Sequence, residues 1–336
     1  MVKVYFLDLR KKYRDNILKV FDRFIDKADG LKILQKNSPS AIKLHVGEAG
    51  NINYVNPRYV QRLVELVQQA GGTSFLTDTT TLYAGRRFRA DLHIELAKEH
   101  GFDFASMIIA DGLYGDEYVE VDGTKIASLF DRIDTMFCVS HFKGHLTCGF
   151  GGALKNLGMG CGAKGGKLEM HSKSKPYIDD DLCTACLTCL DYCIHGAIKK
   201  KETRVKIDKK ICTGCAGCMA VCPERAIRFS WDAASSEIQK GIAKYAASAI
   251  KDKKVFYLNF LINISPNCDC FYTNEPMIAE DVGILASFDP VSVDQACYDL
   301  VKEPIDKLHP EVDAQEQLAY AEEFGAGERT YEIKAI

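Results

Sequence analysis

Apolar positions along most of the chain alternate between two periods. Val2–Asp8 reads as a strand, and Ile17, Val20, Phe21, Phe24 and Ile25 follow at helical spacing, stopped by Asp29–Gly30. Ala41–Val46 is strand-like. Asn56–Pro57 then supplies a cap and a first-turn proline for a helix carrying Val60, Leu63, Val64 and Val67, ended by Gly71–Gly72. Ser74–Leu76 and Ser106–Ala110 predict short strands on either side of a helix over Arg86–His100, and Met136–Val139 predicts a central strand. Later, Ala233–Ile250 reads as a helix and Val255–Ile264 and Ile284–Phe288 as strands. Asp289–Pro290 opens a helix through about Val301, with Asp289 as its N-cap. The C-terminal stretch, rich in Glu and Ala, predicts a surface helix and tail. Such alternation predicts an α/β domain on a mixed or parallel sheet.

Between Lys175 and Phe229 this pattern gives way to cysteine. Cys183, Cys186, Cys189 and Cys193 have the spacing C-x2-C-x2-C-x3-C, and Cys212, Cys215, Cys218 and Cys222 repeat it 29 residues later, with Pro223 following. The flanks repeat as well: Ile178–Asp179 and Ile207–Asp208 precede the two copies, and Ala197–Ile198 and Ala226–Ile227 follow them. The spacing is that of bacterial ferredoxins with two [4Fe–4S] clusters. Two-residue gaps turn three thiolates toward one cubane, and the fourth, three residues on at a helix start, points to the other. Cys183, Cys186, Cys189 and Cys222 are therefore expected to hold one cluster, and Cys212, Cys215, Cys218 and Cys193 the second. Zinc is the alternative for paired C-x2-C motifs, and the doubled register with Cys222–Pro223 argues against it. Cys193 is followed by Ile194–His195 instead of proline. The expected organisation is an α/β domain over residues 1–174 and 230–336, interrupted by a ferredoxin-like α+β insertion over residues 175–229.

Composition narrows the classes. The chain has 336 residues, 47% of them hydrophobic and 26% charged, as in globular domains. A net charge of -3 gives no electrostatic case for nucleic acid or an anionic membrane as partner. Apolar runs are too short to span a bilayer, and Met1–Asp8 lacks the apolar core of a signal peptide. A cytoplasmic protein is expected. There, 14 cysteines point to metal ligation before disulfides.

Chemistry outside the repeat gathers where strands end. His141 and His145 follow the Met136–Val139 strand and lead into Gly149–Gly162, which holds six glycines together with Lys155 and Asn156. A glycine-rich turn leaving a strand exposes backbone N–H groups to an anion, and Lys155 and Asn156 suit phosphate or carboxylate oxygens. The segment contains no P-loop; Gly160-x-Gly162-x-x-Gly165 matches GxGxxG formally, without a strand before it. His45, Glu48 and Asp78 also leave strands, and in an open α/β sheet such positions share the carboxyl edge. Ordinary polar loops and helix caps would account for them equally. Cys268–Asp269–Cys270 lies in a turn where both sulfurs can reach an extra metal, with Cys148 or Cys161 as partner; small buried hydrophobes are the plainer account. Cys138 and Cys297 read as core. Lys199–Lys200–Lys201 suits either an acidic electron partner or a solvated turn.

The block His141–Gly162, together with Ile42–Lys43–Leu44–His45–Val46–Gly47–Glu48 and Leu285–Ala286–Ser287–Phe288–Asp289–Pro290–Val291, resembles the iron–sulfur members of the domain-of-unknown-function family numbered 362. The resemblance spans nearly the whole chain. It implies a ferredoxin-type insertion in an α/β domain, typical of anaerobic bacteria and archaea, and carries no reaction with it.

Together these readings predict an iron–sulfur redox protein. Two [4Fe–4S] clusters would connect an electron-transfer partner protein to an α/β site for an anionic substrate or cofactor, in the manner of a ferredoxin-linked oxidoreductase. A non-catalytic electron carrier that docks partners through its α/β domain, or a metal or cluster delivery protein, is the alternative.

Overall fold

The computed structural model describes residues 1–173, 175–201, 204–271 and 275–336. Its central sheet has eight strands: β1 (Val2–Asp8), β2 (Ser40–Lys43), β3 (Ser74–Asp78), β4 (Met107–Ile109), β5 (Thr135–His141), β6 (Lys254–Leu261), β7 (Gly283–Ser287) and β8 (Tyr331–Ala335). Their spatial order is β8-β1-β7-β6-β5-β2-β3-β4. Strand β7 runs antiparallel to both neighbours, and the remaining pairs are parallel. The fold is mixed α/β with a mostly parallel sheet.

The longer helices are α1 (Ile17–Lys27), α2 (Pro57–Gln69), α3 (Ala90–Glu99), α4 (Ala153–Cys161), α5 (Lys164–His171), α6 (Ser235–Ile250), α7 (Pro290–Leu300) and α8 (Glu316–Glu323). Strand alternation explains the layers. Phe137 and Val139 of β5 enter a core with α1 and α2, while Met136 and Cys138 enter the opposite core with α4, α6, α7 and α8. The predicted caps also form: Asn56 accepts from Arg58 N–H, and Asp289 from Val291 and Ser292 N–H. Among the described residues, no helix is long and apolar enough to cross a membrane.

Three expectations need correction. The C-terminal segment is no surface tail. Leu318 and Ala321 of α8 are buried, and β8 pairs in parallel with β1 at the sheet edge. Second, the glycine-rich stretch is not an open loop: a short strand, Gly149–Gly151, runs straight into α4, which continues through Gly158 and Gly160. A Cβ on Gly158 would lie 2.3 Å from the Ile242 carbonyl oxygen, so glycine there lets α4 and α6 touch backbone to backbone. The GxGxxG match therefore straddles two helices. Third, the helix expected from Arg86 begins only at Ala90, because the residues before it form bends and a turn that bury Arg87.

Chain order fixes where a ligand can sit. From β2 the chain proceeds outward to β3 and β4, then returns to lay β5 on the other side of β2 and β6 beyond it. The β2–β5 boundary is thus the switch point of the sheet, where loops leave the carboxyl ends in opposite directions and open a crevice.

Among the described residues between α5 and α6 lie four short strands and two short helices. Tyr177–Ile178 pairs with Ile227–Arg228, and Ile198–Lys201 with Arg204–Ile207. The 29-residue repeat extends to backbone conformation: Ala185 and Gly214, Leu187 and Ala216, and Gly196 and Arg225 all have positive φ. A small apolar cluster of Ile198, Val205, Met219 and Ile227 joins Leu168 of α5, while Met170 of the same helix belongs to the main core. Helix α5 thereby couples this segment to the sheet.

Candidate functional site

A cavity of about 110 Å³ opens at the switch point. Strands β2, β3 and β5 bring Lys43, Asp78 and His141 to it; the loops after β2 and β6 bring His45, Cys268 and Cys270; and α4 brings Lys155 and Asn156. Among the described residues, Lys43, Arg87, Lys143, Lys155 and Lys167 reach this wall against the carboxylate of Asp78. The balance is cationic.

Most of these charges are held inside the protein. Lys43 Nζ donates to Asp78 Oδ1 at 2.8 Å, to Asn156 Oδ1 at 2.6 Å and to the Leu44 carbonyl at 3.0 Å, so all three ammonium protons are used. Asn156 is equally committed, since its Nδ2 donates to Val139 O at 2.9 Å and Ser140 Oγ at 3.0 Å. It braces α4 against β5, and its amide groups are engaged within the protein. Asp78 lies well below the usual carboxylate range: burial works against its charge, and Lys43 foremost, then His93, His45 and Arg87, overcome it.

Arg87, buried to 2% exposure, bridges the loops. Its Nη1 lies 2.8 Å from His45 Nε2, its Nε donates to Glu48 Oε2 at 3.4 Å, and its Nη2 donates to the Tyr83 hydroxyl. Glu48 does not reach the cavity and instead also accepts from Arg86 N–H at 3.0 Å. His141 turns inward: Nδ1 donates to Asp269 at 2.9 Å and Nε2 faces the carbonyls of Ile262 and Asn263 at 3.0 and 3.1 Å. Asp269, fully buried, also takes Lys143 Nζ at 3.0 Å. This triad pins the turn carrying Cys268 and Cys270. His145 lies outside the cavity wall and accepts from Thr147 N–H at 3.2 Å, with burial depressing its pKa.

Lys155 differs from these partners. Among the described residues its ammonium makes one long contact, 3.9 Å to Cys268 Sγ. Burial opposes its charge, yet the thiols of Cys268, Cys270 and Cys148 hold its pKa above the ordinary lysine value. Here is a cation available to a ligand. His171, on α5, closes the other side beside Trp231, and burial pushes it down to about 4.

Two backbone amides at the start of α4, in the glycine-rich segment, are already taken. Ala153 and Leu154 N–H donate to Asp294 at 2.7 and 2.8 Å, and Asn259 Nδ2 donates to the same carboxylate at 2.6 Å. Asp294 of α7 therefore caps α4 from another element, and burial lifts its carboxyl to about 6.

Cys268 and Cys270 lie side by side with their sulfurs 2.7 Å apart, and Cys270 Sγ is 3.5 Å from His45 Nε2. The donor atoms of His45, Cys268 and Cys270 all lie within 4.8 Å of one another. His45, not Cys148 or Cys161, is thus the third member. Cys148 and Cys161 are fully buried elsewhere in the core. Cys270 is held well below the ordinary thiol range, first by the hydrogen bond from Cys268, whose own pKa is raised in turn.

Two smaller cavities lie among the repeated cysteines. Cys183, Cys186, Cys189 and Cys222 line one, with Ile178, Val205 and Ile227. Cys193, Cys212, Cys215 and Cys218 line the other, with Ile198 and Ile207. Each cavity takes three thiols from one half of the repeat and the last from the other. Four thiols against apolar walls suit a metal–sulfur group, and Gly214 N–H to Cys212 Sγ (3.4 Å) and Ala226 N–H to Cys222 Sγ (3.3 Å) add donors to sulfur.

Sequence reasoning noted Arg86–Arg87 beyond the strand that carries Asp78, and gave no role to Lys43, Tyr83, Asp269 or Asp294. A lysine inside the apolar run Ala41–Val46 is a legible signal of a buried charge; nothing local marks the others.

A model of the family described as Domain of unknown function (DUF362) matches residues 41–299. The chain belongs to the DUF362 family. That match takes in β2 through α7, and with them both the sheet-edge pocket and the cysteine repeat. No curated protein matches the chain.

Proposed function

We propose that this DUF362 protein is an iron–sulfur redox protein whose ferredoxin-like insertion over residues 175–229 serves a site for an anionic substrate or cofactor at the sheet edge. Cys183, Cys186, Cys189 and Cys222 would hold one [4Fe–4S] cluster, and Cys212, Cys215, Cys218 and Cys193 the other. The clusters would supply one-electron storage. The observation that carries the reading is the grouping of the eight cysteines into two four-thiol cavities, each completed across the repeat.

Helix α5 supports a connection between the two sites. A Cβ on Gly165 would meet Gly214 O at 2.8 Å and Cys215 Cα at 3.0 Å, while Lys167 and His171 of the same helix line the pocket. Helix α5 alone, a body about 10 Å across, thus touches both the cysteine loop and the ligand site. The excess of cations at the pocket favours an anion, and Lys155 is the group free to meet it.

Anaerobic isolation with iron and sulfide analysis tests the reading. About eight of each per chain, with a paramagnetic signal on reduction, is expected. Zinc in place of iron, or no metal, would refute it. Cluster signals that no small anion can reoxidise would favour a carrier without a substrate.

A further inference from the structure

We propose that Cys268 and Cys270 form a redox-active dithiol that reduces a small disulfide bearing carboxylate groups, bound at the sheet-edge pocket. The inference extends the redox reading above and rests on it only for the return of electrons to the pair.

Geometry assigns the roles. Cys270 is the more accessible sulfur, faces His45 Nε2 at 3.5 Å, and lies in the field of Arg87. Cys268 is 3% exposed and has Lys155 Nζ at 3.9 Å. With the sulfurs 2.7 Å apart, the pair is already near bonding approach; a disulfide bond measures about 2.05 Å. The turn that carries them is fixed by Asp269, itself held by His141 and Lys143. An attacking thiolate, a buried resolving thiol and a rigid frame are thus in one place.

The same three donor atoms could be read as a metal site, but the surroundings argue otherwise. Gly47 N–H points at His45 Nδ1 at 3.1 Å, and the Arg87 guanidinium stands 2.8 Å from Nε2. A ligating imidazole needs one free lone pair and donates its other N–H to an acceptor. Here both nitrogens face N–H donors, and Arg87, Lys155 and Lys143 surround the sulfurs with positive charge. That field suits thiolates and an anion, not a dication.

The chemistry balances. Cys270 thiolate attacks one sulfur of R–S–S–R, forming Cys270–S–S–R and releasing RS⁻. Cys268 then attacks the Cys270 sulfur, its proton passing to the second leaving thiolate. The products are the Cys268–Cys270 disulfide, RS⁻ and RSH, so the protein pair loses two electrons and the substrate gains them. Return to the Cys270 thiolate and the Cys268 thiol takes two electrons and one proton, the electron count that two one-electron clusters would match.

The full chain, isolated anaerobically, is treated with dithiodipropionate or with its uncharged analogue, hydroxyethyl disulfide, and the peptide carrying both cysteines is examined by mass spectrometry. Wild type should lose two hydrogens with the link between Cys268 and Cys270, and Cys268→Ser should trap a mixed disulfide on Cys270. The dianionic reagent should react roughly tenfold faster than the neutral one, the low end of electrostatic rate gains, and Lys155→Ala should erase that preference. Free Cys268 and Cys270 in treated wild type, or a stoichiometric metal bound to them, would overturn the proposal. Because closure of the pair needs no cluster, a chain lacking iron that still closes it would refute the iron–sulfur reading alone. A chain with full iron content and an inert pair would refute only the dithiol.

Discussion

The two cysteine cavities draw their walls almost wholly from residues 176–227, with Asp116 as the outsider, and apart from sulfur those walls are mostly apolar. The sheet-edge pocket instead collects charged groups from β2, β3, β5, α4, α5 and the segments after β2, β3, β5 and β6, spanning Lys43 to Cys270. The first kind of site is written in spacing, since short gaps between ligands leave the chain few ways to turn. The second exists only once the strand order has brought distant strand ends together. Disturbing one of the repeated cysteines should therefore act locally between α5 and α6, whereas disturbing a charge at the pocket should act on the whole sheet.

The largest effect is expected at Cys193. It is the last cysteine of the first half of the repeat in sequence but lines the cavity of Cys212, Cys215 and Cys218. Under the proposed reading, Cys193→Ala should reduce iron by about four per chain and alter the signal of the second cluster first. Because binding energy at such sites is folding energy, protease should then cut the insertion while the sheet domain persists. Loss confined to the Cys183 cluster would break the crossed assignment.

Next comes Lys43, whose three protons all serve buried acceptors. Lys43→Met should cost about 4 kcal/mol in urea unfolding, the scale of stripping one partner from a buried charge pair. The loss leaves Asp78 and Asn156 Oδ1 without their donor. A cost below 1 kcal/mol would mean that the pocket charges are not a structural network.

Asp294 tests the brace beneath the pocket. Asp294→Ala orphans two α4 amides, leaves Asn259 Nδ2 only its 3.4 Å contact to Cys297 Sγ, and should cost about 3 kcal/mol. The carboxyl also gives a pH signature. Burial holds it at about 6 in the fold against its ordinary 3.8, so the folded chain binds the proton more tightly than the unfolded chain. Its contribution to stability should fall as pH rises from 4 to 6 and then level off. Asp294→Asn should remove that slope, measured as the urea midpoint across this window.

Lys155 supplies the contrast to Lys43. With one long contact to lose, Lys155→Ala should barely change stability. It should weaken phosphate binding about tenfold by calorimetry, or about 1.4 kcal/mol, the scale of one charge-assisted contact. Equal effects of the two lysine substitutions on stability would erase the distinction between a structural and a ligand-facing cation.

Legibility in the sequence follows the same division. Periodicity located β1, α1, α2, β5, α6 and α7 because each buries a continuous stripe, and Asn56 and Asp289 marked their helix starts by cap chemistry. It failed for β8, whose Tyr331–Ala335 pattern is half-exposed and takes its place only by pairing with β1. It failed again for Gly149–Gly162, where glycine serves the contact of α4 with Ile242 instead of a loop. Of the pocket, His45, Asp78 and Lys155 could be named because strand ends and glycine-rich flanks drew attention to them. The brace from Asp294 joins residues 140 positions apart, and no local pattern encodes it.

The smallest effect compares the halves of the repeat with each other. Cys222 is followed by Pro223, and Cys193 by Ile194. Yet the backbone of Cys193 (φ -76°, ψ 92°) lies close to that of Cys222 (φ -75°, ψ 112°), which Pro223 follows. The turns beyond them also agree, with Gly196 N–H donating to Cys193 O at 2.9 Å and Arg225 N–H to Cys222 O at 3.2 Å. Ile194 is 86% exposed, so little buried area is lost with its side chain. Ile194→Pro should therefore fit the native backbone and stabilise the segment by about 0.5 kcal/mol through the unfolded chain alone. The check is the midpoint of thermal unfolding followed by the absorbance of the proposed clusters. A drop of several degrees would show that the first half does not share the turn of the second, and that its missing proline reflects a different backbone.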